Sequence, residues 1–338
     1  MDKSAAGWAR VDAYPALLER LLESIRGRGA KTVGLQYPVG LRTRAVEFAR
    51  ELEARSGAQV LIAADPSFGA CDVPEMPADL TVHLGHAPMP HLRYENVFFF
   101  DMPTPLPESW EFLELALPLL PGKRVGLLTT TQHRTWLPAI QERLATAGFT
   151  AVVSPPDRRV AYAGQVLGCD YFTATNIESE VDGFLYVGSG DFHPVGVSLL
   201  CKKPIVVADP TNNEARTLEA VRDRILRQRH AAIVLAADAK TFGILVSRKI
   251  GQDRSEMAGN LKDLLKKHGR EGHLFLLDLV SPEVLQGYRV DAWVNTACPR
   301  IAIEDGVRYG KPMLTPPELE VVLGVRKWED YRFDEIRA

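Results

Sequence analysis

At 338 residues the chain is long enough for two or three domains, and it can bury a substantial core without disulfides or structural metal. Its composition, 46% hydrophobic and 25% charged, is that of a globular protein. A formal net charge of -3 leaves no electrostatic footprint for a polyanionic backbone, so nucleic acid is set aside as a partner.

The first 29 residues contain a segment, Tyr14 to Ile25, whose apolar positions recur at helical spacing and are interrupted by charges. This is the pattern of an amphipathic helix; a signal peptide needs an unbroken apolar core. No later run approaches the roughly 20 apolar residues of a membrane span, and the expected location is cytoplasmic, where thiols stay reduced.

Further along, one pattern is written three times. A strand, loop and helix begin at Val33 (VGLQYPVGL), at Val125 (VGLLTTTQH) and at Phe242 (FGILVSRKIGQ), each with glycine at the second position, Gly34, Gly126 and Gly243. Second, third and fourth strands follow in each unit: Gln59, Leu80 and Asn96 open those of the first, Thr150, Gly183 and Pro204 those of the second, His273, Asp291 and Pro312 those of the third. Short continuous apolar runs alternating with amphipathic helices mean parallel strands covered on both faces. The expected fold is α/β, with three related small four-stranded parallel-sheet domains arising by internal triplication. Their bounds are residues 1–104, 105–210 and 211–338, breaking where Pro and Asn cluster after a fourth strand. A long helix, roughly Thr217 to Ala237, precedes the first strand of the third unit.

Four cysteines stand at 71, 169, 201 and 298 with no local pairing of the CxxC kind, so any metal site must be assembled from remote segments. Cys71 and Cys169 lie in glycine-containing loops between the second and third strands of their units, and Cys298 directly follows a third strand. The C-terminal ends of parallel strands are where open α/β sheets bind ligands. One loop cysteine per unit points to a single iron–sulfur cluster at the junction of the three domains. Three protein thiolates on a four-iron cluster leave one iron open to substrate. The competing reading is that each is a small buried residue. Cys201, at the end of a helical run before a strand, reads as packing.

Five segments, VGLQYPVGL (33–41), DPSFGACDV (65–73), GQVLGCD (164–170), SRKIGQ (247–252) and TACPRIAIED (296–305), resemble those of diphthamide synthase of the archaeal type, and the likeness extends over nearly the whole chain. The resemblance implies three α/β domains per chain, a homodimer, and a 4Fe-4S cluster on Cys71, Cys169 and Cys298. It also implies cleavage of S-adenosylmethionine at the methionine γ-carbon by a reduced cluster, with an electron donor of unknown identity. The 3-amino-3-carboxypropyl group would pass as a radical to C2 of a histidine in elongation factor 2.

Other groups are placed near such a site by their loops. Gly188, Ser189, Gly190 and Asp191 form a turn whose N–H groups suit a carboxylate or ribose, or a simple turn capped by Asp191. Gln36 and Gln252 follow first strands and either line the cavity or sit on the surface, as do Arg248 and Lys249. Arg300 has the planar fork for the methionine carboxylate, with Asp305 to orient it or to cap the helix. His83, His86, His91 and His193 lack a carboxylate pattern and are not read as metal ligands. The stretch from Arg326 to Arg332 is a solvated face or a docking edge. Two other functions stay open: a condensing enzyme similar to quinolinate synthase, and a cluster-free binding protein.

Overall fold

The computed structural model describes residues 14–304 and 306–337. Its strands form three sheets. The first contains β1 (Thr32–Gln36), β2 (Gln59–Ile62), β3 (Leu80–Leu84) and β4 (Val97–Phe100) in the order β2-β1-β3-β4, all parallel. The second contains β5 (Arg124–Thr129), β6 (Thr150–Val152), β7 (Gly183–Val187), β8 (Ile205–Asp209) and β9 (Glu214–Thr217) in the order β6-β5-β7-β8-β9. The third contains β10 (Thr241–Ser247), β11 (Glu271–Leu277), β12 (Ala292–Asn295) and β13 (Met313–Leu314) in the order β11-β10-β12-β13, again all parallel. One strand order written three times is the α/β triplication that the sequence repeat leads one to expect.

The repeated glycine has a packing reason. Gly126 pairs with Phe184 and Gly243 with Trp293 on the neighbouring strand. A Cβ at either position would stand 2.6 Å from the Phe184 ring or 2.2 Å from the Trp293 ring. In the first sheet the same position, Gly34, makes room for the Met76 sulfur. The glycine is the slot into which a large side chain lies, and two of the three occupants are aromatic rings fixed by the pleat of the adjacent strand.

Helices close the faces. The amphipathic helix Tyr14–Arg28 buries Leu18, Leu21, Leu22 and Ile25 with the first sheet, each side chain contributing about 1.5–3 kcal/mol of apolar transfer. Helix Glu219–Leu235 packs on helix Phe192–Leu200 of the second sheet and on helix Pro316–Val322 of the third. The stretch from Arg326 to Arg332 keeps Lys327, Glu329, Asp330 and Arg332 exposed while its two rings pack: Trp328 stacks on Tyr331 at 4.8 Å, and the Tyr331 hydroxyl donates to Glu318 at 2.9 Å. No helix among the described residues is long and apolar enough to cross a membrane.

The middle sheet departs from the expected four strands. Glu214–Thr217 adds an antiparallel fifth strand on β8, beyond the boundary drawn at residue 210. It is a polar, largely exposed edge strand, and its four residues carry no apolar run that periodicity could detect.

Candidate cluster and substrate site

Loops leaving the C-terminal ends of strands in all three sheets meet around one cavity of about 370 Å³. Cys71, Cys169 and Cys298 all line it, whereas Cys201 is buried in the core at the C-terminal end of helix Phe192–Leu200. No three Cys, His, Asp or Glu side chains among the described residues are gathered tightly enough for a single metal ion.

Each cysteine is fixed by its own set of bonds. The Cys71 loop turns at Gly69, whose φ of 147° is a conformation that disfavours side chains. Tyr94 donates to Ala70 O at 3.0 Å, and the Gly251 N–H donates to Cys71 O at 3.1 Å. Cys169 is clamped between Tyr171, which donates to Gly168 O at 2.6 Å, and Arg159. Cys298 follows β12, where Asn295 donates its amide to Cys298 O at 2.8 Å and accepts the Ala297 N–H at 3.0 Å.

The sulfurs have polar neighbours. Gln252 Nε2 approaches Cys71 Sγ at 3.3 Å, and Arg159 Nη2 approaches Cys169 Sγ at 3.6 Å while donating to Gly251 O at 3.3 Å. Arg159 is almost fully buried and pairs with Asp170 at 3.3 Å. Burial pushes the Cys71 thiol up, opposed by the Gln252 amide. It pushes Cys169 further up; Arg159 opposes, and the charges of Cys298 and Cys71 add to the rise. Bare thiolates are thus disfavoured together, and a cationic metal group is what would stabilise them. Donors aimed at sulfur, a wide cavity and thiols from three loops fit a cluster, with Gln252 and Arg159 as its outer hydrogen-bonding shell.

The rest of the lining divides by charge. Arg300, buried at 5% exposure, lies over the Phe192 ring at 4.4 Å. Lys249 pairs with Asp72 at 2.5 Å and covers the Phe68 ring. The imidazoles are neutral: burial lowers His86 to about 4 and, with Arg300 and His86 nearby, His193 to about 3. Behind them Gln36 gives its amide N–H to Asp72 O at 2.6 Å and turns its oxygen to His83 Nδ1 at 2.5 Å. That nitrogen must carry the proton, so His83 Nε2 accepts from His86 Nδ1 at 2.9 Å.

Of the polar groups expected near the cavity from sequence, Lys249, Gln252 and Arg300 line it, Arg248 does not and pairs with Asp278, and Gln36 stands one layer behind the Cys71 loop. Gly188, Ser189, Gly190 and Asp191 do not line it; only Phe192 and His193, the next two residues, do. Their turn is engaged elsewhere, with Ser189 on Thr211, the Gly190 N–H on Asp209, and Asp191 on Arg216 at 2.7 Å. Asp191 precedes helix Phe192–Leu200 but makes no side-chain cap. Asp305 lies outside the described residues. Arg159 and His86 are wall residues that sequence reasoning missed or passed over. Arg159 follows Pro155, Pro156 and Asp157 in an irregular loop, and no spacing links it to a cysteine.

Comparison with known proteins places this geometry. The family described as putative diphthamide synthesis protein matches residues 37–332. The chain is 36% identical over 324 residues to 2-(3-amino-3-carboxypropyl)histidine synthase of Pyrococcus horikoshii, covering 94% of this chain and 92% of that one. It is 30% identical to subunit 1 of the Homo sapiens enzyme of that name, covering 94% of this chain and 73% of the human one. The crystal structure of Dph2 from Pyrococcus horikoshii with a 4Fe-4S cluster superposes with a TM-score of 0.86 at 35% identity, covering 94% of this chain and 93% of that chain. The chain belongs to the diphthamide synthase family, in its archaeal form. Within that family it is an enzyme of the 2-(3-amino-3-carboxypropyl)histidine synthase kind, a transferase of diphthamide biosynthesis.

Proposed function

We propose that the chain holds a 4Fe-4S cluster on Cys71, Cys169 and Cys298 and transfers the 3-amino-3-carboxypropyl group of S-adenosylmethionine to C2 of a histidine in elongation factor 2. The observation that carries this reading is the convergence of three thiols, one per sheet, on one cavity. When bound and reduced, the cluster would supply the electron that breaks the bond between sulfur and the γ-carbon. A radical route suits the acceptor, because C2 of imidazole is a poor nucleophile near neutral pH and a general base has little to work with.

The protein's own residues bind and orient. Arg300, buried and held over Phe192, offers its fork to the methionine carboxylate. The neutral His86 and His193 line the same space without repelling a sulfonium. Arg159 stands beside Cys169 and Lys249 pairs with Asp72, while Arg300 presents its guanidinium in the cavity wall over Phe192. Elements around this site extend the proposal: each sheet as one domain, a homodimer with a full cysteine set in each subunit, a cytoplasmic setting, and an external one-electron donor.

Anaerobic incubation with dithionite and S-adenosylmethionine should yield methylthioadenosine, and with elongation factor 2 present a 3-amino-3-carboxypropyl adduct on histidine. Arg300→Ala should raise the S-adenosylmethionine requirement about ten- to hundredfold, the loss of a charge-assisted contact. S-adenosylhomocysteine or 5′-deoxyadenosine as the main product would overturn the assignment of the broken bond.

A further inference from the structure

The segment Phe333–Ile336 lies across two of the cysteine loops, and nothing in the transfer reaction uses it. Asp334 is 5% exposed and takes N–H groups from both terminal nitrogens of Arg254, at 2.9 and 2.8 Å. The same guanidinium donates to Thr296 O at 2.7 Å and Ala297 O at 2.9 Å, the two carbonyls just before Cys298. Two residues beyond Asp334, the Ile336 N–H donates to Cys169 O at 2.8 Å. Phe333 is buried beside Tyr171, whose hydroxyl holds Gly168 O. One short stretch therefore grips the backbone at Cys298 and at Cys169.

We infer that Phe333–Ile336 is a strap that fixes the separation of the Cys169 and Cys298 loops, with Asp334 and Arg254 as positioning residues for the cluster ligands. The inference rests on the reading that these cysteines share a cluster. The other side of the site is already tied: Gly251 holds Cys71 O through its N–H and accepts from Arg159, which reaches Cys169. The strap closes this ring. Arg254 spends its donors in one plane on two carbonyls and one carboxylate, so losing the carboxylate frees the guanidinium to turn away from Thr296 and Ala297. A group held by three loops escapes when one loop withdraws, so outer-shell partners of this type govern how long it stays.

The test uses the full chain, reconstituted anaerobically, and reads three quantities: the rate of iron release to a ferrous chelator, the electron paramagnetic resonance spectrum after dithionite, and the melting temperature without iron. Asp334→Ala should release iron about tenfold faster or more, the usual cost of removing an outer-shell partner, with an altered spectrum. Asp334→Glu, which keeps the charge, should fall between it and the parent chain. Ile25→Val trims a fully buried side chain of helix Tyr14–Arg28, none of whose residues lines the cavity, and should lower the melting temperature without changing either cluster readout. If Asp334→Ala does not fold, Asp334→Asn reads the same quantities with the shape kept. Release and spectrum unchanged in the Asp334 variants would overturn the strap, as would acceleration in Ile25→Val in proportion to its loss of melting temperature. A parent chain that takes up no iron would instead overturn the cluster reading, and the strap with it.

Discussion

The first and third sheets share one strand order and one direction, yet they offer their cysteines from different places. Cys71 sits in the loop after β2, on the outer side of the sheet; Cys298 follows β12, the counterpart of β3. The partners differ accordingly. The Cys71 loop is held by a glycine and a glutamine from the third sheet's first loop, while Cys298 is held by Asn295 on its own strand and by Arg254. Fold symmetry brings three loops to one cavity, but the set of thiols is asymmetric, and each depends on its own supports.

The largest effect that bears on this contrast is loss of a thiol. Cys71→Ala, Cys169→Ala and Cys298→Ala should each strip most of the iron from anaerobically prepared protein, despite their unlike settings, because in the proposed site each supplies one of three bonds. Cys201→Ala should retain iron and cost only about 1 kcal/mol or so in denaturant unfolding, as a small buried side chain. Full iron in all three loop variants would break the comparison at its root.

A smaller effect separates the two loops. At Gly251 a Cβ would stand 2.4 Å from Cys71 Cβ and 2.5 Å from Cys71 Cα, atoms that cannot swing aside. Gly251→Ala should therefore push the Cys71 loop off its seat, costing about 1–3 kcal/mol of stability and lowering iron content while leaving the Cys298 loop in place. Gly259, in helix Ser255–Lys267, has open space around it, and Gly259→Ala should be stabilising by about 0.5–1 kcal/mol. Equal behaviour of the two variants would mean that the close approach to Cys71 does not matter.

The mildest test concerns protons. Burial lowers His133 to about 4, with Asp209 opposing, while in the unfolded chain the ring titrates near its ordinary value of 6.5. Between those values the unfolded state binds more protons, so stability falls as pH drops from about 6.5 toward 4. One such ring sets a slope of at most about 1.4 kcal/mol per pH unit. Metal-free protein should lose stability over that window, and His133→Gln should flatten the profile measured by urea unfolding. An unchanged slope would show that His133 is not buried neutral.

Much of this molecule was legible before any coordinates. Val33, Val125 and Phe242 each open an apolar run with glycine second, and in the structure that glycine receives a neighbour's side chain. The cysteines were legible because one fell in a strand-end loop of each repeat. Arg159, Arg254 and Asp334 were not, because a lone charged residue beside a loop in space has no spacing relation to it in sequence. Gly188 to Asp191 misled for the opposite reason: a glycine-rich turn reads as an open nest, and only the fold reveals Asp209, Thr211 and Arg216 taking its groups. Edge strand β9 was too short and polar to register.

The ring around the thiols also orders the life of the chain. Proteins made from the N-terminus fold in that order, so Cys71 and Cys169 emerge while Gly251, Gln252, Arg254 and Cys298 are still unmade. Asp334 and Ile336 follow every strand of the three sheets. A nascent chain halted before β10 would carry only two of the three cavity thiols and an incomplete pocket, so on the proposed reading cluster loading would come after synthesis of the third sheet rather than alongside it.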